Sequence, residues 1–346
     1  PPTQEMDRRQ RQMCISDRRE ALTAAAPRPT SQPHVVLLSP GSRNETYFEH
    51  AYLARYLGIT LAEGEDLTVR GDRVYLKTLD GLRPVDVIWR RVDEGFADPL
   101  ELRTESRLGI SGLLQVMRAG NVAVLNPPGS GLVEAPALMA FLPSLCRRIL
   151  GESLKIPSVA TWWCGQEKPR QTALAQLDRL VVKHAFHKGA PVLVGSGIEA
   201  DSREALAASI AADPGAFVAQ EEIPYSTAPI WGEHGFEPRQ VVLRVFLVAS
   251  GDSYVAMPGG LTRVAADAQE HPGISMQQGS GSKDTWVLSD RANEPQIPAL
   301  RPQFPVVIRR SAGQFSSRGA DNLYWIGRTA ERSEFATRLL RGVIAK

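Results

Sequence analysis

Cysteine is scarce in this chain: of 346 residues only Cys14, Cys146 and Cys164 carry thiols. They are far apart and odd in number, with no CxxC pair and no Cys/His cluster at metal spacing, which excludes a disulfide framework and the common structural zinc sites. Long apolar runs are missing too. No stretch reaches the roughly 18 residues of a membrane span, and PPTQEMDRRQRQMCISDRRE at the N-terminus lacks the apolar core of a secretion signal. A charge excess is also absent: 40 basic against 38 acidic side chains leave +2, and the aromatics do not interleave with basic runs. That balance names no nucleic-acid partner. Reduced thiols without a signal or span predict a cytoplasmic protein with no membrane partner, and there are no internal repeats. The chain opens on Pro1, which reads as a fragment of something longer.

What is present is an ordinary globular composition, 43% hydrophobic and 23% charged, enough for roughly two domains. Residues 1–33 are charged and then rich in alanine and proline, predicting a short helix and a linker. From His34 an α/β alternation begins. VVLLSP (35–40) reads as a buried strand and turn, NETYFEHAYLARYLG (44–58) as a helix capped by Asn44 and closed by Gly58, and LTVRGDRVYLKT (67–78) as a hairpin about Gly71-Asp72. VDVIWRR (85–91), a helix near 105–118, the strand NVAVLN (121–126) and a helix near 134–150 continue it to about residue 165. Over 166–290 the pattern turns α+β. Helices near 169–178 and 201–212 accompany LVV (180–182), VLV (192–194), FVAQEEI (217–223), RQVVLRVFLVAS (239–250), SYVAMPGGLTRVA (253–265) and KDTWVLS (283–289), which predict an antiparallel sheet. A Pro-rich linker over 291–315 then leads into one long helix over 316–346, the expected start of a helical domain.

Four groups of polar residues ask for an explanation. Lys183 ends an apolar strand, and its ammonium reads either as a point charge facing a phosphate or as a strand-end lysine reaching water. Gln220-Glu221-Glu222 interrupts another apolar strand; its edge suits an adenine with a carboxylate for the ribose, or else the strand emerges into solvent. Arg244, Arg263 behind Gly259-Gly260, and Lys283 are cations on successive strands, as a phosphoryl group in transfer requires, unless they are solvated hairpin charges. VIWRRVDEGFADPLELR bunches Arg90, Arg91, Asp93, Glu94 and Asp98 after a buried strand, either as a substrate or metal site or as a surface ion-pair cluster. His184 and His187 have no third ligand nearby in sequence and do not read as a metal site.

Taken in order, HVVLLSPGSRNETYFEHAYLARYLG, VDVIWRRVDEGFADPLELR, PSVATWWCG, the LVVK strand, AQEEI, FEPRQVVLRVF, MPGGLTRVA and GSKDTWVL resemble the circularly permuted ATP-grasp family, type 2, over about 34–289. The tail RGADNLYWIGRTAERSEFATRLL resembles the first helix of an alpha-E domain. The resemblance implies an ATP-grasp-type fold, with an α/β substrate-side domain over 34–165 and an antiparallel-sheet nucleotide-binding domain over 166–290. It implies an ATP-dependent carboxylate–amine ligase akin to glutathionylspermidine synthetase, working through an acyl phosphate with ATP and Mg2+ on small-molecule or peptide substrates. Carried over, Lys183 contacts the phosphates, Gln220 and Glu221 form the adenine side, and Arg244, Arg263 and Lys283 surround the transferred phosphoryl group. Arg90, Arg91 and Asp93 take the acceptor side, and the metal ligands are unassigned. Family members supply an acidic-x-Asn metal element upstream of the first strand, and residues 1–33 hold none. The alternative is therefore a non-catalytic nucleotide-binding or scaffold protein whose helical tail meets a protein partner.

Overall fold

Strand β1 (Val35–Leu38) consists of four apolar residues, and all four are buried because both faces of its sheet are covered. The computed structural model describes residues 18–28, 32–186, 193–194, 199–232, 235–250, 252–256, 259–266, 281–288 and 316–344. The chain forms two compact units, one of Pro1–Pro128, Arg244–Leu261 and Asp284–Lys346, the other of Gly129–Leu243 and Thr262–Lys283.

In the first unit a helical stretch α1 (18–24) precedes β1, α2 (Tyr47–Leu57) and β2 (Thr60–Ala62). An antiparallel meander follows: β3 (Leu67–Arg70), β4 (Arg73–Thr78) and β5 (Gly81–Pro84). Gly71 and Asp72 both take positive φ, 51° and 58°, so the two-residue turn matches the right-handed twist of the strands it joins. Then come β6 (Val87–Arg90), α3 (Leu113–Arg118) and β7 (Ala123–Leu125). Strands β2-β1-β6-β7 form a parallel sheet in that order. Alternation sends Val36, Leu38, Ile88 and Val124 into a core with Leu76, Leu113 and Val116, and Val35 and Val87 into a second core with Leu22 and Leu57. The helix expected over 105–118 is six residues long, because buried Asp98 organises the preceding turns. Its carboxylate accepts the backbone N–H groups of Leu100, Gly112 and Leu114 at 2.9, 3.0 and 2.9 Å, satisfying donors that the start of α3 leaves open.

The second unit opens on two 3-10 turns, Ser130–Glu134 and Pro136–Ala140, before α4 (Leu142–Leu150). Pro136 and Pro143 cannot donate backbone hydrogen bonds, which explains why no continuous helix spans 134–150. After β8 (Thr161–Trp163), α5 (Glu167–Ala175), β9 (Leu180–His184), β10 (Leu193–Val194), α6 (Ala200–Ala212) and β11 (Phe217–Glu221), the strands lie antiparallel in the order β10-β9-β11-β8. Leu180, Val182 and Ala219 pack on one face with Ala173, Leu177, Leu206 and Ile210 of the α5 and α6 layer. Strands β12 (Thr227–Gly232) and β13 (Gly235–Arg244) form a hairpin. The strand expected over 239–250 breaks after Arg244, and β14 (Leu247–Ser250) pairs with β15 (Ser253–Ala256) in the first unit. Strands β16 (Leu261–Val264) and β17 (Gly281–Asp284) extend the hairpin sheet in the order β12-β13-β16-β17.

The tail is a single helix α7 (Ser317–Ile344) belonging to the first unit. No helix among the described residues is long and apolar enough to cross a membrane.

Candidate functional site

The register of the second unit's sheet sorts its residues onto two faces. Val182 and Ala219 pair directly and face the helices, so their neighbours Lys183, Val181, Val218 and Gln220 face the other way. On β8, Thr161 pairs with Gln220 and Trp163 with Val218, which brings them to that same face. A polar file crosses three strands there. Lys183 Nζ donates to Gln220 Oε1 at 2.7 Å, and Gln220 Nε2 donates to Thr161 Oγ1 at 3.2 Å and to Met139 Sδ at 3.7 Å. Met139 comes from the 3-10 turn that Ala137 pins to the sheet through its N–H to Ala185 O, 3.1 Å. Trp163 donates Nε1 to Gly215 O at 3.0 Å and meets Phe141 and Phe186 edge-on, with centroids 6.0 and 6.4 Å apart.

The amide of Gln220 is thus committed at both ends, and it holds the ammonium by a neutral acceptor. Burial lowers the pKa of Lys183, and among the described residues no carboxylate pairs with it. A half-buried cation without a counter-charge favours an anion brought from outside. Glu221 lies across from Leu180, on the helix side of the strand, and is exposed. Gln220 and Glu221 are therefore separated by the sheet, as the period of two dictates.

In the first unit the interest lies at a sheet edge. Strand β1 has β2 on one side and β6 on the other, so the chain reverses its direction of winding there, and the carboxyl ends of β1 and β6 mark the switch point at which ligands sit in open parallel sheets. Arg90 ends β6 at that edge, and Arg91 follows it. Arg90 donates Nε to Asn126 O at 3.0 Å and Nη1 to Val92 O, and burial lowers its pKa against the opposing pull of Glu94 and Asp93. The Arg91 guanidinium lies over the Trp89 ring at 4.7 Å. Burial and the neighbouring Arg18 lower its pKa while Glu49 raises it, and no carboxylate among the described residues forms an ion pair with it. Arg18 in turn sits over Phe246 at 5.8 Å. Beside them buried His50 is held between Ser39 Oγ, 3.0 Å from Nδ1, and Thr46 Oγ1, 3.2 Å from Nε2. Burial first, then Arg91, lowers its pKa, with Glu49 opposing, so it is neutral at pH 7. Asp93 is exposed where a 3-10 turn begins, whereas Asp98 is turned wholly into the fold.

Arg263 and Lys283 stand on the neighbouring strands β16 and β17, and Lys283 is exposed. Arg244, also exposed, closes β13 and belongs to the first unit. His187 lies outside the described residues. The partners Thr161, Met139, Arg18 and His50 were not singled out from sequence. Only Thr161 left a signal, its alternation with Trp163 in ATWWC. Among the described residues no group of three or more His, Cys, Asp or Glu side chains converges to hold a metal ion.

Comparison with known proteins identifies the class. Residues 3–265 match the family model described as circularly permuted ATP-grasp type 2, and the chain belongs to that family. Residues 315–346 match a predicted alpha-helical domain with a conserved ER motif, and Glu331-Arg332 is the Glu-Arg pair in that span. The mixed α+β architecture with antiparallel sheets and a C-terminal helix is the one expected of such a chain. Among its relatives is an uncharacterized Mycobacterium tuberculosis protein, Rv2567, 38% identical over 328 residues, 93% of this chain and 36% of that protein. An uncharacterized Synechocystis protein, sll0335, is 38% identical over 270 residues, 78% of this chain and 56% of that protein. The chain thus spans from about a third to about half the length of these two relatives. Among solved structures, the ATP-grasp ligase PsnB complexed with a minimal precursor is similar with a TM-score of 0.42 at 16% identity, over 75% of this chain and 78% of that one.

Proposed function

We propose that this chain is the nucleotide-binding and acceptor-binding part of an ATP-dependent ligase that joins a carboxylate to an amine in the cytoplasm. One observation carries the reading beyond family membership: Lys183, half-buried and held among the described residues by Gln220 alone, is a cation placed for an anion that those residues do not supply. Nucleotide phosphates fit it, since a lysine ammonium serves as a mobile point charge for phosphate. The flat sulfur and aromatic groups beside the file, Met139 and Trp163, suit the apolar part of the same ligand.

In this reading a substrate carboxylate oxygen attacks the γ-phosphorus of ATP and ADP leaves. The amine then attacks the acyl carbon, phosphate departs, and the nitrogen gives up a proton. Lys183 holds the phosphates, Arg244, Arg263 and Lys283 offset charge on the group in transfer, and Arg90, Arg91 and Asp93 take the acceptor at the parallel-sheet edge. Glu221, on the helix side of the sheet, does not share the face that carries Lys183 and is given no part in holding the nucleotide. The described residues do not form a protein cage for Mg2+, so no step is assigned to it; Mg2+ commonly arrives with nucleotide phosphates and needs only one or two protein carboxylates.

ATP should raise the melting temperature, and Lys183→Ala should abolish that rise. An unchanged rise in the variant removes Lys183 from the nucleotide site. Release of ADP on adding pools of amino acids and polyamines, from a protein of the relatives' full length, tests the ligase half. The other reading is a non-catalytic nucleotide-binding scaffold, for which ATP binding without any turnover is the expected outcome.

A further inference from the structure

Among the described residues, helix α7 touches the rest of its unit at its N-terminal end. From Asp321 to Ile344 every residue is exposed, whereas Ser316, Arg318, Gly319 and Ala320 are partly buried. Three contacts build this anchor. Ser316 pairs by a backbone bridge with Thr78 at the end of β4, and its hydroxyl accepts the Gly319 N–H at 3.0 Å, capping the helix. Arg318 then makes a planar fork on Asp66, Nε to Oδ1 and Nη2 to Oδ2, both 2.9 Å, and its Nη1 reaches Glu63 Oε1 at 3.1 Å.

The two ends of the fork differ. The Asp66 side chain is 1% exposed and that of Arg318 is 34% exposed. Asp66 Oδ2 also accepts the Glu63 N–H at 2.9 Å, so the carboxylate orders the segment after β2. Glu63 in turn lies against the loop after β1. Gly41 has φ +99°, and a Cβ there would stand 2.9 Å from Glu63 Oε2, so the carboxylate occupies the space a side chain would need. Gly41 N–H donates to Ser39 Oγ at 3.2 Å, and that hydroxyl also meets His50. A chain of direct contacts therefore runs from Arg318 through Glu63 to Gly41, Ser39 and His50.

We propose that Arg318 is a latch that docks the start of the helical domain onto the carboxyl edge of the parallel sheet and holds the Ser39–Gly41 loop in place. If Arg318 swings away, Asp66 is left as a buried carboxylate that keeps the Glu63 N–H but has no counter-ion among the described residues, and Glu63 loses its cationic partner. The loop and the first turn of α7 then loosen together. Motion of the helical domain is in this way transmitted to the edge where Arg90 and Arg91 stand. The latch does not rest on the ligase reading, because it concerns residues of the same unit whatever the acceptor is.

Hydrogen exchange on the whole chain tests it without any substrate. Arg318→Ala should speed exchange about tenfold or more at the Ser39, Gly41 and Glu63–Leu67 amides as well as at Gly319 and Ala320, with β9 and β11 unchanged. Faster exchange confined to Gly319 and Ala320, with the loop as slow as before, overturns the latch. Should the alanine variant loosen the whole unit, Arg318→Gln serves instead: it keeps a long polar side chain at the start of α7 while losing the cation and the fork, and leaves Glu63 and Gly41 unaltered. Faster exchange at Gly41 in that variant upholds the coupling, and an unchanged rate there refutes it. Arg318→Lys, which keeps the charge and loses the fork, should restore the loop only in part.

Discussion

In the parallel sheet of the first unit, β1 is buried from Val35 through Leu38 and both faces feed a core. In the antiparallel sheet of the second, Val182 and Ala219 face helices while Lys183 and Gln220 face away. The difference decides where polar chemistry can stand. A sheet covered on both sides has room for it only where strands end, and there the Arg90–Asp93 and Ser39–His50 groups are found. In the antiparallel sheet the face away from α5 and α6 carries polar side chains mid-strand, because neighbours satisfy them, and Thr161–Gln220–Lys183 is such a file. The cations are held differently as well. Arg91 is a flat group laid on Trp89, suited to an edge, whereas Lys183 is a point charge steadied by an amide across the strands.

Substitutions can break this contrast at graded strengths. The largest stability effects are expected from the cores. Ile88→Ala and Ile210→Ala should each cost about 2–5 kcal/mol. Urea unfolding followed by hydrogen exchange should show the first loss in the first unit and the second in the second; equal loosening at both sites by either variant would contradict the separation of the two cores.

Next in size is Gln220→Leu. It should leave the fold nearly intact yet weaken ATP binding about tenfold, or about 1.4 kcal/mol, by freeing the ammonium of Lys183. Titration calorimetry against ATP measures this, and undiminished affinity would detach the file from nucleotide binding.

The smallest effect is expected at the parallel-sheet edge. His50 has a lowered pKa, so the unfolded chain binds its proton more readily than the folded one. Stability from this group is fully present above the unfolded pKa, about 6.5, and declines as pH falls below it until the folded pKa is reached. Part of the pH slope of the urea midpoint below about pH 6.5 should vanish in His50→Asn, and His34, lowered likewise by burial, supplies a further part. A slope untouched by the substitution would mean His50 is not the neutral, enclosed group described above.

Much of the first unit is readable in advance because its signals are local. VVLL can only be a strand buried on both sides, and Gly71-Asp72 between alternating residues demands a tight hairpin. The short α3 was not readable, since the acid that organises it, Asp98, acts on amides up to 16 residues away. Nor could sequence tell that Gln220 and Glu221 face opposite ways relative to Lys183. That follows from the register against β9, a pairing between segments 37 residues apart. The partners of Gln220 lie farther still, Thr161 59 residues and Met139 81 residues away, which is why the site's support was invisible while its central lysine stood out.

Helix α7 has 28 residues and so measures about 42 Å, and it is gripped within its first turn. Mechanically it is a beam clamped at one end. A tilt of about 10° at the clamp would carry the far end through about 7 Å, given that length. Conversely, a force applied near Ile344 acts on Arg318 and Asp66 with an arm roughly fourteen times their 2.9 Å hydrogen-bond length. Whatever binds the distal turns is therefore well placed to pry at two carboxylates beside the sheet edge, and very small displacements there would suffice to part the fork.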